Sequence, residues 1–173
     1  MSNFPKQLFL ALFLTAGVLG FAANAQQPEE TPATPVPVQI AAARKVFISN
    51  GGEQSNYQDV HDNWFTGGPN RAYNQFYAAI KTWGRYEILP APAEADLILE
   101  ISFTKRLAGA TDSQFKVAIL DPKTRILLWT ITVYVEPAGM PKNREKNYNS
   151  AMNALVEELK NLSSAAPPAN AQK

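Results

Sequence analysis

The segment "QFKVAILDPKTRILLWTITVYVE", residues 114–136, joins two apolar runs through the charged pentapeptide "DPKTR". Both runs place apolar residues at every second position, which is the period of a β-strand. The apolar positions of the first run are Phe115, Val117 and Ile119, and those of the second are Leu127, Trp129, Ile131, Val133 and Val135. This pattern predicts two antiparallel strands that bury one shared face.

That shared face constrains the connection between the two strands. Val117 is expected opposite an inward residue such as Trp129, because a slip by one residue would turn one apolar set outward. The loop is therefore predicted to have an odd length, either Pro122–Thr124 or Asp121–Arg125.

The charges of the pentapeptide are interpreted as turn residues rather than as chemistry, because Asp followed by Pro is a typical start of a type I turn. The longer loop is favoured, since it places the residue in the left-handed region at Arg125. The shorter loop would place it at Thr124, whose branched Cβ disfavours positive φ. We therefore expect positive φ at Arg125.

The remaining periodicities complete a fold. Two apolar stripes at helical spacing predict amphipathic helices over residues 70–84, ending at Gly84, and 143–162. Further strands are predicted over residues 44–49 (ended by "NGG", residues 50–52), 85–89 and 95–103, and residues 53–69 are read as irregular. The predicted fold is an α/β (α+β) two-layer sandwich, with a mixed, mainly antiparallel sheet of about five strands and two helices on one face.

The N-terminus has the pattern of a secretory signal peptide. A short start with one lysine precedes the apolar run of residues 7–22, and Ala23 and Ala25 occupy the small-residue positions of a cleavage site. The run is shorter than the roughly 20 residues that span a bilayer. We expect cleavage after Ala25, no stable membrane insertion afterwards, and a periplasmic or secreted location.

Composition divides the rest of the chain. Residues 26–43 hold a proline-rich stretch and are predicted to be a linker, residues 44–162 a single domain, and residues 163–173 a flexible tail.

The chain has no cysteine, which excludes disulfides, a thiolate metal site and a cysteine nucleophile. With 16 basic and 15 acidic residues it lacks the basic surplus of nucleic-acid-binding proteins.

No catalytic or cofactor-binding residue is assigned from the sequence. The single histidine, His61, lies between Asp59 and Asp62, and these three residues are the weak candidates for a metal site. No companion at a recognised ligand spacing accompanies them. The simpler interpretation is that His61 is a loop residue without a ligand role. The alternative function is a small metal-assisted hydrolase built on the His61 loop.

Six residues are candidates for an interface with a partner. Two lie in the irregular segment, where an aromatic pair either folds back onto the domain or anchors a partner, and four lie on the strand face opposite the apolar one. The candidates are Trp64, Phe65, Ile98, Lys116, Leu128 and Tyr134.

The order of elements resembles a group of uncharacterised secreted bacterial proteins over about residues 44–162. The markers are "WGRYEIL", an Ala95-Asp96 pair that opens a strand, and the hairpin "VAILDPKTRILLW". More loosely, it looks like the small α/β domain of envelope-assembly proteins: the N-terminal domain of the Tol-system periplasmic propeller protein and the curli secretion lipoprotein. This chain has Arg125 where those proteins often have Gly, and it lacks the lipid-attachment cysteine. The resemblance implies an envelope-associated binding or assembly module whose partner is another envelope protein or a second copy, with no catalytic residues.

The export hypothesis makes a prediction about the mature chain. Intact-mass measurement of the exported protein should show a chain that begins at Gln26, because Ala23 and Ala25 meet the small-residue requirement of the cleavage site. Recovery of a full-length chain in the membrane fraction would contradict both the cleavage and the location.

Overall fold

The computed structural model describes residues 35–55, 65–105 and 113–164. The elements in chain order are α1 (Val38–Ala42), β1 (Lys45–Ser55), α2 (Arg71–Trp83), β2 (Glu87–Ile88), β3 (Leu97–Lys105), β4 (Gln114–Leu120), β5 (Leu127–Tyr134) and α3 (Pro141–Ser164). Within the described ranges, no helix is both long and apolar enough to cross a bilayer. The predicted signal peptide and its cleavage site at Ala23 and Ala25 lie outside the described residues.

The five strands form one mixed sheet in the order β2-β1-β3-β4-β5. β1 runs parallel to β2 and β3, whereas β3, β4 and β5 are successively antiparallel. The prediction of a five-strand α/β sandwich is confirmed. Because β2 has only two residues, both beside the first residues of β1, the short segment between β2 and β3 suffices to cross to the other side of β1.

One face of the sheet forms the core with the helices. The inward side chains of β3 and β4, from Leu97 to Phe103 and from Phe115 to Ile119, are essentially inaccessible to solvent. Apolar side chains of α2 and α3 pack in the same cluster. Phe103 lies at its aromatic end, with ring centroids 4.7 Å from Phe115 and 5.1 Å from Tyr148.

β1 continues through the glycine pair that was expected to end it. A register shift lies between Asn50 and Gly52, so Gly51 is an extra residue in the strand. A Cβ on Gly51 would lie 3.0 Å from the carbonyl oxygen of Ile101, and Gly52 has a φ of 81°. The glycines therefore make a bulge inside the strand rather than a stop, because glycine permits both the close approach and the positive φ.

The β4–β5 hairpin keeps the predicted faces by a different route. Asp121 and Ile126 pair through a backbone hydrogen bond of 3.0 Å, which leaves an even loop, Pro122–Arg125. An extra residue, Leu128, then lies between the Leu120–Leu127 and Ile119–Trp129 pairs. The prediction of an odd loop is wrong. The even loop Pro122–Arg125 and the single extra residue Leu128 together still insert an odd number of residues, so the strand faces are kept.

The bulge changes two details of the pairing. Val117 lies opposite Ile131, not Trp129, so the strand is shifted by two residues and its faces are kept. Leu127 was expected inward, but it pairs with the outward-facing Leu120 and is 54% exposed. Only a residue beyond the bulge can return to the core face.

The turn itself has the predicted conformation. Arg125 has a φ of 59° and is the only residue other than glycine with positive φ in the described part of the chain. One carboxylate oxygen of Asp121 accepts hydrogen bonds from the backbone N–H groups of Lys123 (2.9 Å) and Thr124 (2.7 Å). The Thr124 N–H in particular holds the pKa of Asp121 below its ordinary value. Asp121 organises the turn.

Glycine at position 125 should relieve the backbone strain of the turn. We expect Arg125→Gly to leave the free energy of unfolding unchanged or to raise it by up to ~1 kcal/mol, because relief of the left-handed penalty offsets the greater entropy of the unfolded chain. Lys123→Gly is the matched control, since Lys123 has no positive φ, and should lose about 0.4–1 kcal/mol. Urea titrations measure both. A clear loss in Arg125→Gly would show that the guanidinium makes a stabilising contact.

The folded part of the chain begins before residue 44 and ends after residue 162. Ile40 of α1 is fully buried, although residues 26–43 were assigned to a linker. Ser163, assigned to the tail, is 2% exposed and its hydroxyl bonds to that of Tyr86 at 2.7 Å. Arg85 donates to the carbonyl oxygens of Ala41 (2.8 Å) and Ser163 (2.9 Å). This guanidinium joins the C-terminal ends of two helices, where a cation is favourable.

A single carboxylate fixes the entry into β1. One oxygen of Asp96 accepts hydrogen bonds from the backbone N–H groups of Arg44 and Lys45, each 2.8 Å long, and the Asp96 N–H donates to the Lys45 carbonyl at 2.8 Å. The donated bonds, that from Arg44 first, hold the pKa of Asp96 below its ordinary value. The Ala-Asp pair that opens β3 therefore aligns β3 with β1.

The lowered pKa of Asp96 predicts a loss of stability in acid. Its contribution is fully present above the unfolded-state pKa, near 4, and is lost as the pH falls through the lower folded-state value. In Asp96→Asn, the free energy of unfolding should therefore fall less steeply below about pH 4 than in the wild type. The control is Glu158→Gln, at an exposed position on α3, which leaves the hydrogen bonds of Asp96 in place. Equal slopes for Asp96→Asn and the wild type would contradict the prediction.

Candidate functional site

Strand β5 is the last strand on one side of the sheet, and no strand among the described residues pairs with its outer side. The Val135 N–H donates to the Ser113 carbonyl at 2.7 Å, which makes this a hydrogen-bonded pair of the β4–β5 ladder. Because such pairs alternate along antiparallel strands, the backbone groups of Thr130, Thr132 and Tyr134 point away from β4. We call these backbone groups the outer edge of β5.

The side chains of the same three residues lie on the open face, which is the sheet face opposite α2 and α3. One end of the open face is apolar, and its four side chains follow one another in register across β1, β3, β4 and β5: Phe47, Ile98, Leu120 and Leu127. Beyond that row the face becomes polar, with Lys116 beside Thr132. The open face is thus amphipathic along the strand direction.

The predicted interface residues on this face differ in accessibility. Ile98 is completely buried within the apolar row, and Leu128 is half-buried at the bulge and packs against the core. Lys116 is exposed, and Tyr134 is 59% exposed. Lys116 and Tyr134 lie near each other beside the outer edge of β5, and they are the two accessible members of the set.

The aromatic pair of the irregular segment is described in part. Phe65 packs on the core, with ring centroids 5.5 Å from Phe103 and 5.2 Å from Tyr148. Trp64 lies outside the described residues, as do the candidate metal ligands His61, Asp59 and Asp62. The side chain of Phe65 therefore closes the end of the core.

A polar cluster holds Phe65 in that position. The Arg71 guanidinium donates to Glu145 (2.6 Å), to the Thr66 carbonyl (2.9 Å) and to Asn149 (3.1 Å), and it lies 3.9 Å from the ring centre of Tyr148. Glu145 also accepts the Thr66 N–H at 2.9 Å. The cluster binds the residues after Phe65 to α2 and α3.

The ionisation of the cluster is consistent with a structural role. Burial alone would raise the pKa of Glu145, but the Thr66 N–H and the Arg71 guanidinium outweigh it and hold the pKa below its ordinary value. Burial raises the pKa of Tyr148. Neither shift brings a pKa closer to 7, where a side chain is most effective as a general acid or base. Among the described residues there is also no group of three or more potential metal ligands.

The outer edge of β5 was not among the sites predicted from the sequence. Thr130 and Thr132 are ordinary strand residues, and their importance comes from their backbone groups. The available signal was the composition of the strand, "LLWTITVY", which has neither a charge nor a proline. That composition is unusual for an edge strand.

No protein-family model matches the chain, and no curated protein matches it. Similar solved structures include a homologue of a neuraminyllactose-binding hemagglutinin from Helicobacter pylori, at 12% identity, TM-score 0.41, and coverage of 70% of this chain and 87% of that one. PelC from Paraburkholderia phytofirmans is similar at 12% identity, TM-score 0.41, and coverage of 73% and 92%.

Uncharacterized lipoprotein B from Nitrosomonas europaea is similar at 15% identity, TM-score 0.40, and coverage of 76% and 90%. The finer resemblance to Tol and curli modules stays an expectation.

The orientation of the backbone at the outer edge predicts where proline is tolerated. At Thr132 proline removes an N–H that points away from β4, whereas at Ile131 it removes a bond of the β4–β5 ladder. We expect Ile131→Pro to lose about 1–3 kcal/mol more than Thr132→Pro, since a buried partner is left unpaired. Ile131→Ala and Thr132→Ala correct for the lost side chains. Equal corrected losses in urea titrations, made at concentrations low enough to keep every variant monomeric, would show that the edge has been assigned to the wrong residues.

Proposed function

We propose that the folded domain is a non-enzymatic binding or assembly module of the bacterial cell envelope. It is exported with residues 1–25 removed, and it binds through the outer edge of β5 and the adjoining open face. Its partner contributes a β-strand that extends the sheet.

The difference between the two edges of the sheet carries this proposal. On the other side of the sheet, β2 pairs with only the first two residues of β1. The part of β1 beyond them carries the Gly51 bulge and the inward-facing Glu53, and a short strand, a bulge and an inward charge all make an edge unsuitable for pairing. The edge at β5 is eight residues long and has no charge and no proline to prevent pairing. A long, uncharged edge strand is a surface for strand addition, in which main-chain hydrogen bonds supply affinity.

Exposed apolar side chains beside this edge support the same function. Tyr134 is 59% exposed, and Ile126 and Leu127 at the opposite end of β5 are 61% and 54% exposed. Tyrosine and aliphatic side chains at such positions are typical of protein interfaces, because they bury apolar area at small entropic cost. Lys116 adds a charge to one side of the surface.

Three carboxylates of the described residues have structural roles that favour binding over catalysis. Asp96, Asp121 and Glu145 all have a lowered pKa and accept backbone N–H hydrogen bonds that hold local structure together. A catalytic carboxyl that acts as a general acid would instead need a raised pKa. The alternative metal-assisted hydrolase at His61 lies outside the described residues and stays a prediction from the sequence.

Photo-crosslinking in the producing bacterium tests the proposal. With Tyr134 replaced by photoreactive benzoylphenylalanine, irradiation should give a defined adduct with an envelope protein, either a different protein or a second copy. The matched control carries the same amino acid at Glu158, an exposed position on α3, and should give none. No adduct from position 134, or the same adducts from both positions, would overturn the proposed function.

A further inference from the structure

We propose that the partner strand comes from a second copy of this chain. The two β5 strands pair antiparallel along their outer edges, with Thr132 of both copies at a twofold axis. This inference rests on the proposed function and names the partner for the same surface.

The backbone of β5 specifies a strand as the occupant of this edge. With Thr132 on the axis, its N–H and C=O bond to those of Thr132 in the other copy, and Thr130 pairs with Tyr134 of the other copy. All the residues that point outward within the regular part of the strand are then satisfied. No other register with matched faces pairs all three of them.

The same register also completes the core face. Trp129 and Val133 point toward the helices but are only half-buried, whereas Ile131 between them is 4% exposed. The pairing places Trp129 opposite Val135 of the other copy and Ile131 opposite Val133. The inward apolar layer, which ends at β5 in one copy, continues into the next, and the half-buried side chains gain neighbours.

Charge favours the antiparallel orientation of the two copies. Strand β5 contains no charged residue, so no like charges meet within the paired segment. Exposed Arg125 precedes the strand and exposed Glu136 follows it. Antiparallel copies bring the Arg125 end of one strand toward the Glu136 end of the other, whereas parallel copies would place like charges together.

The geometry of the sheet also limits the assembly to two copies. An interface between two identical edges is isologous and closes after one pairing. Continued growth would need the opposite edge as well. There β2 supplies only two residues, and the part of β1 beyond it is interrupted by the Gly51 bulge and carries the inward-facing Glu53. The product is a dimer with one continuous sheet of ten strands, twice the five of a single copy.

Sedimentation of the chain, expressed from its full sequence and purified from the exported fraction, tests the dimer. The wild type should sediment as a dimer at micromolar concentrations. Thr132→Pro should weaken dimerisation by roughly thirtyfold, because it removes both hydrogen bonds at the axis. Glu158→Ala, at an exposed position on α3 outside the proposed interface, is the control and should remain a dimer.

A disulfide gives a second measurement that does not depend on how well the proline variant folds. The chain has no cysteine, so a single introduced thiol has no other partner within it. In a hydrogen-bonded antiparallel pair the Cα atoms lie about 5.5 Å apart, which a disulfide can bridge. Thr132→Cys should therefore form a covalent dimer on mild oxidation. Lys116→Cys should not, since it lies one strand farther from the axis in each copy.

A monomeric wild type, a dimer that Thr132→Pro leaves intact, or equal crosslinking of the two cysteine variants would each overturn the inference. The crosslinker at Tyr134 separates this failure from that of the proposed function. If it captures a different envelope protein while the wild type is monomeric, the module binds through its edge but not to itself. If it captures nothing and the wild type is monomeric, both proposals fail.

Discussion

The constraint on which the structure depends is that the sheet has one covered face. Successive side chains of a strand point to opposite faces, so each strand must hold its register to the residue. Two bulges maintain that register. In β1 the extra Gly51 lets the strand pass a close contact with Ile101, and in β5 the extra Leu128 offsets an even loop. Without the second bulge, either Trp129 and Ile131 or their partners on β4 would face solvent.

The covered face also explains where the charged groups lie. Arg71, Glu145 and Tyr148 close one end of the core, next to Phe65, and Arg85 and Ser163 close the other. In each place a charged or polar side chain satisfies backbone groups that the end of a helix or a loop leaves unpaired. In these two places, charged side chains hold chain segments that lie at the ends of the apolar core.

The two edges of the sheet differ in how well they could pair with a further strand. The parallel side ends in the two-residue β2 and in the bulged part of β1 beyond it. The antiparallel side ends in a long strand whose backbone groups face outward. Burial is also weaker at that side, since Trp129 and Val133 are only half-covered although they face the helices. Backbone and side chains thus point to the same edge, and this coincidence is the reason for proposing an interface there.

The sequence by itself determined the features that depend on neighbouring residues. Alternation identified the faces of β3, of β4 and of β5 from Trp129 onward. Helical spacing identified α2, with its end at Gly84, and α3, and local turn chemistry identified the left-handed conformation of Arg125. Each of these follows from backbone sterics or from side chains a few residues apart. The charges of "DPKTR" could be interpreted as a turn for the same reason.

The tertiary structure decided the features that depend on distant contacts. It showed that the glycine pair at residues 51–52 makes a bulge, because that depends on β3 lying against β1. It placed Ile40 in the core, although its proline-rich surroundings resemble a linker. It also made β5 an edge, and with it the candidate binding site. Strand order is set by which apolar faces fit together across the whole domain, and no local pattern records it.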